Sequence, residues 1–369
     1  MFSRKPVHSI LLASAAASLA VTGLAQNVAA SANTIRSSRP AICSKSYDPY
    51  RASATLLSSC GDEIMRLQSV TSLPGGGKAY HYGQYTELLP PARFNVLKAS
   101  DKTLAEYGLP TRKKLGRQWY GVMRHFRHFL PAPSFLVGVP VSADALNDTC
   151  PTGSCNWDGH YVSGHTYDEV TGTWKEPHFV GAGCSGDAFS NWAGMGGISS
   201  KDSLGQVGTN FNAPGFAAHQ GFILTIINGA AGNGDVPIQG FVPSAGDTIY
   251  ASVLWNSPHY YYLLNDQTTN TSSGSILSRT DDSPDNSTAE FISERPLING
   301  SLSELSDFQT IAFQDATSYW STGSAGFYNN PVHKSIQMSD LSSQGGHTLA
   351  TTTNLDSDSN FTNTWKRCS

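Results

Sequence analysis

Trp192-Ala-Gly-Met-Gly-Gly197, followed after eight residues by Gln206-Val-Gly-Thr209, and farther on Ala289-Glu-Phe-Ile-Ser-Glu294, are the stretches on which the reading of this chain turns. Both read as β-strands, in which successive side chains point to opposite faces of a sheet. That periodicity puts Glu290, Ile292 and Glu294 on one face and Ala289, Phe291 and Ser293 on the other. By the same rule Leu204, Gln206 and Gly208 share a face. A carboxyl group flanked by apolar neighbours on a sheet has its ionisation tuned by burial and neighbours, as general acid and base work requires.

The surrounding sequence is of the same kind. A chain of 369 residues can bury a large core, and 35 glycines with only 14% charged residues suit short strands and turns better than a helical bundle. The expected class is all-β, and a β-sandwich is the economical architecture. Beyond Cys150 candidate strands fall at 159–164, 172–176, 203–209, 222–227, 248–255, 260–266, 288–294 and 310–316. Turns are expected at the Asn-Gly pairs beginning at 228 and 299 and at the Gly-Asp pairs beginning at 234 and 246.

At the amino terminus Arg4 and Lys5 precede an apolar run over 10–24, with small-residue cleavage sites near 25 and 32. This is the pattern of a signal peptide over 1–32, too short to span a bilayer comfortably. The expected product is a soluble protein outside the cell or in a periplasm. Export lets the six cysteines form disulfides, and six allow 15 pairings. Short loops favour Cys43 with Cys60 and Cys150 with Cys155, leaving Cys184 for Cys368. No second closely spaced pair accompanies Cys150 and Cys155 at finger spacing, and the spacings of His160, His165 and His178 match no helical zinc motif, so neither metal nor cofactor is expected.

Charge divides the chain. Residues 33–150 hold 15 Lys and Arg against 8 Asp and Glu, whereas 151–369 hold 7 against 20. The basic residues concentrate at Arg112, Lys113, Lys114, Arg117, Arg124 and Arg127, interleaved with Trp119, Tyr120, Phe126 and Phe129. Such a run can be a solvated face or a nucleic-acid surface. Export makes nucleic acid an improbable partner. A third reading lays the basic part over its own acidic partner domain, loosening in acid as carboxylates protonate.

The two opening stretches resemble the active-site motifs of the eqolisin family of glutamic peptidases, including the fourteen positions from Trp192 to Gln206. Residues 104–112, followed by Trp119, look like the prosegment of bacterial eqolisins. Asn156-Trp-Asp-Gly159, Val170-Thr-Gly-Thr-Trp174, Phe241-Val-Pro-Ser-Ala-Gly-Asp247, Asp307-Phe-Gln-Thr-Ile-Ala-Phe313 and Phe361-Thr-Asn-Thr-Trp365 resemble further family elements in order. The resemblance implies an antiparallel double β-sandwich of jelly-roll or lectin-like form, with Glu294 as general acid/base and Gln206 as oxyanion donor. Trp157 and Trp192 become cleft walls that hold substrate. Two departures stand out: Gly196 replaces an Asp common in fungal relatives, and Phe222-Ile-Leu-Thr-Ile-Ile-Asn228 replaces an aromatic and acidic strand.

The expected organisation is a signal peptide over 1–32, a basic propeptide over 33–148 and a β-sandwich peptidase domain over 149–369, processed between Pro131 and Cys155. The expected protein is a secreted, monomeric, acid-acting endopeptidase that cleaves proteins or peptides, with its own propeptide as intramolecular inhibitor. Its rival is a secreted carbohydrate- or cell-wall-binding sandwich, in which Trp157, Trp192, Trp255 and Tyr260 to Tyr262 would stack on sugars. Fold alone does not separate them. Gly183-Cys-Ser-Gly186 lacks the pattern of a serine nucleophile elbow.

Overall fold

The computed structural model describes residues 62–65, 67–82, 85–126, 129, 135–138, 150–180, 187–198, 203–211, 219–227, 230–238, 240–256, 259–278, 284–298 and 301–368. The strands that build its body are β1 (Trp157–Ser163), β2 (Tyr167–Lys175), β3 (Asp187–Gly196), β4 (Leu204–Phe211), β5 (Gln220–Ile227), β6 (Ala230–Pro237) and β7 (Thr248–Asn256). They continue with β8 (His259–Asp266), β9 (Thr271–Ser278), β10 (Thr288–Glu294), β11 (Thr310–Trp320), β12 (Val332–Ser339), β13 (Thr348–Thr352) and β14 (Phe361–Trp365). One antiparallel sheet runs β6-β5-β4-β3-β10-β1-β12. The other runs β9-β8-β7-β2-β11-β14-β13-β12.

Strand β12 belongs to both. Its first part, Val332 to Ile336, pairs with β1, and its last residues, Met338 and Ser339, pair with β13. The two inner faces bury Val162, Val170, Trp174, Phe189, Val207, Phe291, Phe313 and Phe361 in one core. Alternation explains the choice: Val207 and Phe291 point inward, while Leu204 and Ile292 join a separate apolar layer on the opposite face of the first sheet. The all-β expectation holds, and each candidate strand lies in or overlaps an observed one.

One expected turn is corrected. Gly234-Asp235 lies inside β6, which pairs with β5 through two register shifts. Backbone pairing to an apolar neighbouring strand outweighs the turn preference of those two residues. Gly246 does turn the chain, with a φ of 89°, and Asp247 Oδ2 accepts from Ser244 N at 2.7 Å. The pairs at 228 and 299 lie outside the described residues.

Before the sandwich come a three-stranded sheet, Ser69–Ser72, Lys78–Tyr82 and Tyr85–Leu89, and three short helices, Asp101–Glu106, Arg112–Leu115 and Trp119–Met123. Ser100 and Thr111 cap the first two helices through bonds to Thr103 N and Lys114 N. Leu104, Tyr107, Leu109, Trp119, Val122 and Phe126 from this part pack on Tyr250, Leu254 and Leu263, on the outer face of the second sheet. His125 stacks on Tyr250 with ring centroids 4.1 Å apart.

Within the basic run, Arg112 is spent internally, whereas Lys113, Lys114, Arg117 and Arg124 are exposed. Arg112 bonds Asp101 Oδ1 at 2.9 Å and the carbonyls of Leu97 and Ala99, and its guanidinium lies 3.9 Å from the Trp119 ring centroid. Among the described residues the ion pairs of this part, Arg112 with Asp101 and Lys102 with Glu106, are internal. What meets the sandwich is mainly apolar, beside a cavity of about 340 Å³ lined by Lys113, Lys114, Asp168 and Glu169. Cys150 and Cys155 form the expected disulfide and Cys368 is also disulfide-bonded. Cys43, Cys60 and Cys184 lie outside the described residues, as does the segment 1–32 read from sequence as a signal peptide. Among the described residues no helix is long and apolar enough to cross a membrane.

Candidate active site

The outer face of the first sheet carries the residues singled out from sequence. Glu294 ends β10, between Trp157 of β1 and Ser190 of β3. Its Oε2 accepts a hydrogen bond from Trp192 Nε1 at 2.6 Å, and its Oε1 accepts from Asn156 Nδ2 at 3.2 Å. Asn156 is held there because its carbonyl accepts from Arg295 N at 2.8 Å. The Trp157 ring stands nearly edge-on to Trp192, with centroids 5.1 Å apart at 78°. Trp192 is wholly buried with Leu204, Phe222 and Ile292, whereas Trp157 keeps an exposed edge.

Gln206 lies on the same face but in another cross-strand row. It pairs with Gly194 of β3, and Gly194 pairs with Glu290 of β10. Glu294 pairs instead with Ser190, four residues along β3, so Trp192 stands midway between the two rows. Gln206 is almost fully buried and its Oε1 has no hydrogen-bond partner among the described residues. Glu290 is fully buried, and both of its carboxyl oxygens lack a partner among the described residues. Burial raises its carboxyl well above the ordinary range, offset only in part by the Thr288 hydroxyl. Asp158, behind the same sheet, is pushed up to about 8 by burial.

The strand periodicity therefore read the faces of β4 and β10 correctly, but Asn156 was read only as part of an opening strand. Its signal was its place next to Trp157, which is directly opposite Glu294. Gly196 has a reason to be glycine: its φ is 92°, and a Cβ there would stand 2.3 Å from Ser203 O. A side chain of any kind is shut out, so the carboxyl group expected from fungal relatives has no place in this backbone. On β5, Phe222 fills the position next to Gly208 and extends the apolar layer under the tryptophans.

The sequence profile described as the peptidase A4 family matches residues 155–365. The chain belongs to this family. It is accordingly a glutamic peptidase of the eqolisin type, a hydrolase acting on peptide bonds. Among solved structures it is similar to scytalido-glutamic peptidase with a transition-state analogue inhibitor, at 19% identity and a TM-score of 0.49, covering 58% of this chain and 100% of that one. It is also similar to SCP-B, an eqolisin in complex with the tripeptide Ala-Ile-His, at 19% identity and a TM-score of 0.45, with the same coverage. Aspergilloglutamic peptidase from Aspergillus niger aligns at 21% identity and a TM-score of 0.41, over 49% of this chain and 99% of that one. No curated protein sequence matches the chain.

Membership of the A4 family overturns the rival reading as a sugar-binding module without enzymatic activity. The aromatic run that suggested it is not a surface: Tyr260 and Tyr262 are core residues, Tyr261 packs beneath the helices, and Trp255 leans on the core. In β8 alternate aromatic residues serve the two sides of a covered sheet, which in sequence looks the same as a stacking platform.

Proposed function

We propose that this A4 peptidase is a secreted, acid-acting endopeptidase in which Glu294 and Gln206 form the catalytic dyad. The observation that carries the reading is the pair of hydrogen bonds from Trp192 Nε1 and Asn156 Nδ2 to the Glu294 carboxylate, on the face that also bears Gln206. Donors of this kind favour the charged form and fix its direction. The scissile carbonyl lies over Trp192, between the rows of Glu294 and Gln206. Glu294 takes a proton from the attacking water and returns it to the leaving nitrogen, while Gln206 Nε2 donates to the developing oxyanion. Such a donor is worth about 3–4 kcal/mol. Trp157, with its exposed edge, supplies the aromatic surface against the substrate.

The part before the sandwich serves as a propeptide that the enzyme removes from itself. Its helices lie on the second sheet, while the strand Phe135–Gly138 runs alongside β6, the edge of the sheet that bears Glu294. Inhibition is exerted from that edge. The test is a gel-based pH series on the purified full chain and its Glu294→Ala variant, following self-processing and digestion of an unfolded protein. Cleavage in acid by wild type alone is expected; equal cleavage by the folded variant would remove Glu294 from the mechanism.

A further inference from the structure

The mechanism leaves one buried carboxyl group of the catalytic face unused. Glu290 sits in the same cross-strand row as Gln206, separated by a single strand position, Gly194. Adjacent strands lie about 4.8 Å apart, so the two backbones are roughly 10 Å apart. Gly194 contributes no side chain to the gap and cannot: a Cβ there would stand 2.7 Å from the Trp192 ring and 3.0 Å from Gly205 O. The edge of that ring floors the space between the two longer side chains. Among the described residues Gln206 Oε1 and both Glu290 oxygens are buried without a hydrogen bond of normal geometry, the Thr288 hydroxyl on the same strand being the polar group that acts on Glu290.

An unpaired buried carbonyl and an unpaired buried carboxyl group are each costly alone. They are complementary if the carboxyl group is neutral, because the acid is then a donor and the amide oxygen an acceptor. The full burial of Glu290 keeps it in that form. An oxyanion donor also needs its amide held one way round, since a flipped glutamine presents its oxygen to the substrate. We propose that Glu290, as a neutral carboxylic acid, donates to Gln206 Oε1 across Gly194 and so keeps Gln206 Nε2 turned toward the scissile carbonyl. Glu290 is a positioning residue; it touches neither water nor substrate. The inference rests on the assignment of Gln206 as oxyanion donor.

The test uses steady-state kinetics of the full chain on a peptide substrate at acid pH, with Glu290→Met, Glu290→Gln, Glu290→Asp, Gln206→Ala and the Gln206→Ala/Glu290→Met double variant. Replacing Glu290 with an apolar side chain of similar volume leaves Gln206 Oε1 buried without its donor, so a modest loss of stability accompanies the kinetic effect. Glu290→Met is expected to fold and to lower kcat at least tenfold with KM unchanged. Glu290→Gln, which keeps an N–H donor at the same reach, stays within about threefold of wild type. Glu290→Asp keeps the acid but shortens the reach, and falls with Glu290→Met; this pair decides the matter should the Met variant not fold. In the Gln206→Ala background Glu290→Met has no further effect.

Wild-type kcat in Glu290→Met, losses that multiply in the double variant, or Asp outperforming Gln would overturn the inference while leaving the dyad intact. Wild-type kcat in Gln206→Ala would instead defeat the oxyanion assignment itself.

Discussion

The outer faces of the two sheets are built by the same alternation and put to opposite uses. On the second sheet Tyr250, Leu254 and Leu263 face outward and are covered by the helices that precede the sandwich. On the first sheet Trp192, Gln206, Glu290 and Glu294 face outward, and the apolar layer of Leu204, Phe222 and Ile292 supports a carboxylate held by two donors. Each face buries an acid. Glu169 accepts from Ser252 Oγ at 2.8 Å under the helices, and Glu290, in the cross-strand row of Gln206, has no carboxyl hydrogen bond among the described residues beyond the influence of Thr288.

The contrast can be broken at its covered side first. Trp119→Ala removes a nearly buried indole that bonds Pro110 O at 2.7 Å and packs on the second sheet. A loss of about 3–5 kcal/mol is expected for a buried Trp cut to Ala. Denaturant unfolding would read it as an early transition of the helical part, with the sandwich transition preserved. A single unchanged transition would mean that the helices are not held by this cluster.

The next effect concerns pH. Burial pushes Glu169 up to about 8, well above the ordinary glutamate range near 4.5, with Ser252 and Lys114 pulling the other way and Asp168 adding to the rise. Tyr250 and Tyr319 face the same group, and both are raised mainly by burial. A carboxyl group raised in the folded state favours folding while protonated. Its contribution is greatest below about pH 4.5 and is lost as the pH rises toward 8. Protonation of Glu169 thus favours the folded state, while the attraction of Lys114 for Asp168 and Glu169 acts in the opposite direction. Glu169→Gln should flatten the pH dependence of stability between those limits; an unchanged slope would assign the dependence to other groups.

Smaller still is the expected effect of Asn156→Ala. It removes the amide donor to Glu294 Oε1, with a loss of about 1.5–3 kcal/mol expected for a hydrogen bond to a charged group. The expected reading is a fall of roughly tenfold to hundredfold in kcat/KM with an unchanged melting temperature. Wild-type kcat/KM would mean that this donor does not act on the reacting carboxylate.

How much of this was legible in the sequence differs between the same two faces. The strands with apolar alternation, such as β7, β8 and β10, and the faces of β4 and β10 could be read directly, because burial imposes the period of two. β6 could not, because Gly232, Gly234 and Asn233 owe their strand conformation to pairing with β5. The covering of the second sheet was equally hidden, since the outward residues of β8 look the same whether they meet helices, sugar or water. Charge suggested a clamp; Arg112 is spent on Asp101 and Trp119, whereas Lys114 faces Asp168 and Glu169 across a cavity. At the site, Glu294 and Trp192 were legible as a motif. Asn156 was not, because only the β1–β10 register brings it to Glu294. Gly196 read as a lost acid until its backbone conformation showed that no side chain fits.

The most direct test of the account is the pH profile of kcat/KM for wild type beside Trp192→Phe, which removes the N–H donor and keeps an aromatic ring. If Glu294 is the titrating group of the reaction, losing a bond to its charged form raises its pKa. The limb on which activity appears with rising pH then moves to higher pH. An identical limb in the folded variant would mean that the group titrating in catalysis is not Glu294.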